Sequence, residues 1–159
     1  MDIVRREQRE AFITADGSSI RELAGIPSGN TSNQSLAEAI VPPGSATIAH
    51  FHHRSEEIYL FTHGSGRMRL GSEEHTVRAG DCVVIPPGVA HKLWSDDGEP
   101  LILLCCCAPA YSHRTRSYSK ADFRDVTPSA VELARACDSA GDTFEVGRLR
   151  RVALSAAAG

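Results

Sequence analysis

No stretch of this chain approaches the ~20 consecutive apolar residues of a membrane-spanning helix; the longest candidate, LILLCCCAPAY from Leu101, is short and broken by a proline. The opening MDIVRREQRE is charged throughout and has no apolar core of the kind a secretory signal needs. There is no basic run. With Lys+Arg 17 against Asp+Glu 20 the net charge is -3, which argues against nucleic acid and against an anionic membrane surface as partners. A secreted disulfide framework is also missing: the five cysteines are odd in number, and Cys105, Cys106 and Cys107 are consecutive. A cytoplasmic protein is the expectation. What is left is one soluble-type domain, since 159 residues suffice to bury a real core.

Short extended segments with turn punctuation fill most of the chain. FITADGSSIREL has the form of a hairpin about Asp16-Gly17, and IPSGNTSN that of a loop. Strands are expected at about Ser35 to Ile40, Ala46 to His52, Glu57 to His63, Gly66 to Leu70, His75 to Val77, Asp81 to Ile85, Lys92 to Ser95 and Leu101 to Cys107, a spacing typical of all-β sandwiches and barrels. After Tyr111 the composition turns polar, and SHRTRSYSKADFRD is expected to wrap the barrel surface. Thr127-Pro128 offers an N-cap and a first-turn proline, so a helix is expected from Pro128 to Ser139. The chain thus divides into an N-terminal extension at 1–34, a barrel at 35–111 and a C-terminal segment at 112–159.

Chemistry concentrates in two segments, GSATIAHFHHRSEEIYLFTHG from Gly44 and GDCVVIPPGVAHKLWS from Gly80. His50 and His52 are separated by one residue, so on a strand both imidazoles point to the same face. Glu57 follows after room for a turn and opens the strand-forming run EIYLF. A hairpin there returns the carboxylate beside the histidine pair. Pro87-Gly88 is the signature of a type II turn, and His91 comes shortly after it. Three imidazoles and one carboxylate suit a divalent transition metal (Fe, Mn, Ni, Co, Cu or Zn) better than magnesium or calcium.

At these positions the chain resembles the cupin superfamily. Gly44, His50, His52, Glu57 and Gly64 meet the first cupin motif, in which Glu57 rather than Glu56 keeps the interval to the closing glycine. Gly80, Pro86, Gly88 and His91 meet the second, whose last position is Ser95 instead of asparagine. A lone His-x-His is a weak signal; so many specified positions at set intervals form a strong one. The resemblance implies an all-β fold, a cupin-like jelly-roll β-barrel here followed by a short C-terminal helix, with one metal ion held inside by His50, His52, Glu57 and His91. It also implies a homodimer, for which the hairpin at Ile13 to Leu23 can add a strand to a neighbour.

Alternation brings Ala46 and Ile48 to the face of His50 and His52, Tyr59 and Phe61 to that of Glu57, and Leu93 and Ser95 to that of His91. Such a lining is mainly apolar and suits a small organic molecule, with Tyr59 or Ser95 able to hydrogen-bond it. His53 and His113 are further candidates to orient a substrate at the mouth. Single histidines such as His63 and His75 are more often solvated than functional, and Arg67 and Arg69, which flank Met68, read as a solvated strand face. The cysteine run reads as small buried hydrophobes, the alternative being a thiolate near the metal.

Four protein ligands on an octahedral ion leave two positions for substrate, dioxygen or water. The first expectation is therefore a metal-dependent enzyme on a small oxygen-bearing molecule, foremost an oxygenase. A non-redox isomerase, cyclase or lyase is the second, and a metal-containing binding module without turnover the third. Fold membership does not choose among them.

Overall fold

A computed structural model describes residues 1–112 and 116–118. The expected helix from Pro128 to Ser139 and His113 lie outside the described residues. Within them, one 3-10 turn, Arg6–Gln8, precedes eleven strands: β1 (Phe12–Ile13), β2 (Ser19–Ala24), β3 (Ser35–Val41), β4 (His50–His52), β5 (Glu56–His63), β6 (Ser65–Leu70), β7 (Glu73–Arg78), β8 (Cys82–Ile85), β9 (His91–Ser95), β10 (Leu101–Ala108) and β11 (Arg116–Tyr118). They form two antiparallel sheets, ordered β1-β2-β3-β10-β5-β8 and β11-β4-β9-β6-β7. This is the jelly-roll pattern, two sheets covering one apolar interior.

Binary patterning decides which faces meet. Along β5, Glu57, Tyr59 and Phe61 are buried while Glu56, Ile58 and Leu60 are exposed, the period of two that a half-buried strand requires. Val41, Phe61, Ile85, Leu101 and Leu103 from the larger sheet meet Met68, Val77 and Leu93 from the smaller one. Burial of these side chains, each contributing roughly 1.5–3 kcal/mol relative to exposure, supplies the main drive for closure.

The motif glycines have steric reasons. Gly64 has φ 76°, and a Cβ there would come within 2.3 Å of the Pro100 carbonyl oxygen; the β5–β6 turn packs too closely on the strand entering β10 for any larger residue. Gly88 has φ 79°, as the second turn position of Pro87-Gly88 demands. Its N–H donates to the His52 carbonyl at 2.7 Å. That bond ties the turn before His91 to the end of the His50–His52 strand.

Three expectations are corrected. The strand expected from Ala46 shrinks to His50–His52 plus an isolated bridge between Ala46 and Trp94. Thr47, Ile48 and Ala49 are all buried, because the Thr47 N–H donates to the Leu93 carbonyl at 2.9 Å and the Ile48 N–H to that of Asp16 at 2.9 Å, which breaks simple alternation. The N-terminal hairpin reaches further than Ile13 to Leu23: β2 pairs with β3 and the two-residue β1 forms the edge of the larger sheet. Finally, the polar segment after Tyr111 does more than wrap the surface. It supplies β11, which pairs with β4 and brings Arg116 opposite His52 and Tyr118 opposite His50.

Candidate metal centre

Register assembles the site. His50 and His91 are direct partners across β4 and β9, and His52 lies two residues on, so three imidazoles share the inner face of the smaller sheet. Glu57 faces them from β5 of the larger sheet, between Cys107 on β10 and Ile85 on β8. One ligand atom from each of His50, His52, Glu57 and His91 falls within a set whose members all lie within 4.8 Å of one another. All four side chains are buried.

The orientation of each donor is fixed from behind. His50 Nδ1 lies 3.1 Å from the Ile48 carbonyl and His91 Nδ1 3.2 Å from that of Val89. A carbonyl only accepts, so each Nδ1 carries the proton and each Nε2 keeps a lone pair for the interior. Cys107 donates its S–H to Glu57 Oε1 at 3.2 Å, leaving Oε2 to face the imidazoles. Burial, then the Glu57 charge, pushes the Cys107 thiol well above its usual range. Cys107 is therefore a thiol that orients a carboxylate, and the thiolate reading of the cysteine run fails here. Cys105 is raised in the same way, by burial first and then Glu57.

Glu57 Oε2 sits 3.2 Å from His52 Nε2 and 3.3 Å from His91 Nε2. These separations are short, yet among the described residues Glu57 Oε2 and His91 Nε2 have no hydrogen-bond partner, and neither has His52 Nδ1. Distance without direction is what donors aimed at a common point produce. Orphaned buried polar atoms are costly, and an ion bound by three imidazole nitrogens and one carboxylate oxygen would satisfy Glu57 Oε2 and His91 Nε2. The residues present fit a divalent transition metal. Burial alone would raise the Glu57 pKa, but contacts with His52 and His91 hold it well below the ordinary carboxylate value. Burial first, then the charges of Arg116 and His91, keeps His50 well below its ordinary value and hence neutral, as ligation requires.

Two residues beside the centre were not legible in sequence. Asp16, expected only as a turn residue, is buried and turned inward; it accepts from the Ser18 N–H at 2.9 Å, from the Ser18 hydroxyl at 2.6 Å and from the Thr14 hydroxyl. Its other oxygen pairs with the Arg116 guanidinium. Burial would raise its pKa, yet Arg116 and His50 hold it below the carboxylate range. Arg116 Nη2 also reaches His50 Nε2 at 2.9 Å. The guanidinium carbon lies 5.0 Å from the Tyr118 ring centre and 6.0 Å from that of Tyr111, within cation–π range. The Asp-Gly pair and the polar run around Arg116 were visible, but their meeting across 100 positions was not.

The other candidates separate. Tyr59 is buried with its ring centre 5.6 Å from that of His91; burial, then Glu57 and Cys105, raises its pKa well above the usual range, so it is a neutral phenol against a ligand ring. Ser95 stands at the far end of β9, four residues or roughly 13 Å from His91. Its hydroxyl accepts from the Leu101 N–H and donates to the Glu99 carbonyl, each at 3.1 Å, which makes it a strut of that turn. His53 is exposed and bonded to the Ser117 hydroxyl at 2.7 Å, on the face that carries Phe51 rather than His52. His63 and His75 are exposed beside Glu99 and Glu73. Arg67 is exposed and lies over Trp94, as does Arg69, while Met68 faces in.

Comparison with known proteins agrees with this architecture. The family model for the cupin domain matches residues 37–107. Protein MJ1618 of Methanocaldococcus jannaschii, uncharacterized, is 46% identical over 115 residues, covering 71% of this chain and 92% of that protein. Among solved structures, the nucleoside dehydratase Pac13 of Streptomyces superposes with a TM-score of 0.63 at 18% identity, over 75% of this chain and 91% of its own. The polyketide cyclase RemF of Streptomyces resistomycificus gives 0.59 at 24% identity, over 68% and 79%. The chain belongs to the cupin family, and its interior carries a buried group of three histidines and one glutamate that can hold a metal ion.

Proposed function

We propose that this protein is a metal-dependent enzyme acting on a small oxygen-bearing organic molecule. The observation that carries the proposal is the convergence of four buried donors, two of them orphaned, on one point between the sheets. Keeping this costly arrangement serves no purpose in a sandwich whose apolar core already closes it. A divalent transition metal held there supplies Lewis-acid polarisation of a substrate oxygen and, if it is iron or manganese, electron transfer to dioxygen. His50, His52, His91 and Glu57 hold the ion, Cys107 and the Ile48 and Val89 carbonyls orient the ligands, and Tyr59 walls the site with a neutral phenol.

An oxygenase is the first reading of the reaction. A non-redox isomerase, cyclase or lyase is the second; the proteins that share the fold include a nucleoside dehydratase and a polyketide cyclase. Metal analysis of protein purified without added metal, followed by oxygen-uptake measurements with candidate substrates, separates them. Oxygen consumption coupled to product supports the oxygenase; a substrate transformed over zinc without oxygen consumption supports the second reading. A ligand bound and returned unchanged would overturn both in favour of a binding module.

The proposal includes a homodimer. The outer face of β5 and β8 leaves Ile58, Leu60 and Val84 exposed, side chains of the kind that interfaces cover. Nucleic acid and membrane stay outside the proposal; among the described residues no helix is long and apolar enough to cross a bilayer.

A further inference from the structure

We propose that the substrate is an organic monoanion and that Arg116 is the residue that selects it, an inference that rests on the metal-dependent reading above. The guanidinium is buried, with its side chain 7% exposed, and among the described residues its Nε–H has no hydrogen-bond partner. An unpartnered donor on a buried cation is a costly feature unless something is meant to bind it.

The lone pair of His50 decides what Arg116 does. Because Nδ1–H donates to the Ile48 carbonyl, Nε2 is the nitrogen left for a metal, and it has one lone pair. Arg116 Nη2 now donates to that lone pair at 2.9 Å. An ion and the guanidinium cannot both use it. Metal loading therefore releases the Nη2 donor from His50, while the pairing with Asp16 keeps the guanidinium tethered beside the centre.

Charge then defines the ligand. Among the described residues, Glu57, Asp16 and Arg116 contribute one net negative charge to this buried region. A divalent ion turns that into one net positive charge. Uncompensated charge in a buried site is penalised by desolvation, so a ligand with a single negative charge closes the balance, whereas a neutral ligand leaves an excess. Arginine suits the task because its planar fork matches the two oxygens of a carboxylate. Tyr111 and Tyr118, within cation–π reach of the guanidinium, restrain where the fork sits. The class implied is a small carboxylate carrying a second oxygen for the metal.

The test uses full-length protein loaded with zinc, and pyruvate with its neutral methyl ester as probes, followed by calorimetry. Wild type is expected to bind pyruvate, and Arg116→Gln to weaken it by about tenfold or more while leaving the ester unchanged. Metal affinity gives a second readout: with the competing cation gone, Arg116→Gln should take up zinc at least as tightly as wild type. Arg116→Lys, which keeps the charge but loses the fork, should fall between the two and carries the test if the glutamine variant does not fold. Pyruvate bound equally by wild type and a folded, zinc-loaded variant, or not bound by wild type, overturns the inference. Failure of wild type to retain zinc at the four ligands would instead overturn the metal-dependent reading on which it stands.

Discussion

Replacing His52 with alanine should remove the metal while sparing the fold, and the size of each effect follows from the surroundings of the ring. His52 is buried at the end of a three-residue strand. Among the described residues its Nδ1 has no hydrogen-bond partner, and Glu57 Oε2, 3.2 Å from its Nε2, is itself without one. Deleting the ring therefore orphans no group that is now satisfied, and the apolar core, centred on Val41, Phe61, Ile85, Leu101 and Leu103, is untouched. The cost to the metal-free protein is that of an ordinary buried substitution, ~1–2 kcal/mol, or a fall in Tm of about 2–8 °C for a chain of this size. Wild type with metal at a thousand times its Kd gains ~4 kcal/mol, about 8–16 °C by the same scaling. Thermal melts of wild type and His52→Ala, each with chelator and with added zinc, check both numbers. The variant should melt cooperatively without metal and show almost no zinc-induced rise. A full rise in the variant would remove His52 from the ligand set; a metal-free variant unfolded at room temperature would show that the ligand cluster, not the sheet packing, holds the barrel together.

Acidification should destabilise the metal-free protein in two stages. His50, Glu57 and Asp16 are all held below their ordinary values of 6.5, 4.5 and 3.8, so the unfolded chain binds more protons than the folded one and stability rises with pH. It should be level from about pH 7 to about pH 8, begin to fall as pH drops below the ordinary histidine value and fall more steeply through the carboxylate range; urea midpoints that do not change between pH 7 and pH 4 would contradict this. Cys107→Val removes the thiol that donates to Glu57 Oε1 and should weaken metal binding by about 10- to 100-fold, with Cys107→Ser milder because it keeps a donor; equal affinities by competitive chelation would deny Cys107 an orienting role. Leu60→Glu, which sets a charge on the exposed apolar face of β5, should convert a dimer into a species of the 17.1 kDa chain mass in light scattering; an unchanged mass would place the dimer contact elsewhere.

The ligand set was legible because each member obeys a local rule. His50 and His52 share a face by strand alternation, Glu57 lies in step with the buried Tyr59 and Phe61, and Pro87-Gly88 turns the chain just before His91. Most strands lie within a residue or two of the sequence expectation because turn residues bound them, and along β5 burial also alternates. Legibility ended where pairing is long-range. Ile48 was placed by counting in twos, but its N–H bonds to the Asp16 carbonyl outside any regular strand, and Thr47 and Ala49 beside it are buried as well. Arg116 lies in a polar run with no apolar alternation, and its burial depends on Asp16, one hundred residues earlier. Asp16 in turn carries the ordinary signature of a turn residue. A charge pair between two such segments leaves no periodic trace in either one. Ser95 shows the converse: its parity with His91 was read correctly, but distance along β9 places it at the other end of the strand, where it braces a turn.

The most direct measurement is anomalous scattering from crystals of protein purified without added metal, with the absorption edge used to identify the element. One peak is expected between the sheets, about 2.0–2.2 Å from an imidazole nitrogen of each of His50, His52 and His91 and from Glu57 Oε2, with Arg116 Nη2 moved off His50. A crystal with no anomalous peak there after incubation with iron, zinc, nickel and manganese in turn, or with the ion bound by other residues, would contradict the account.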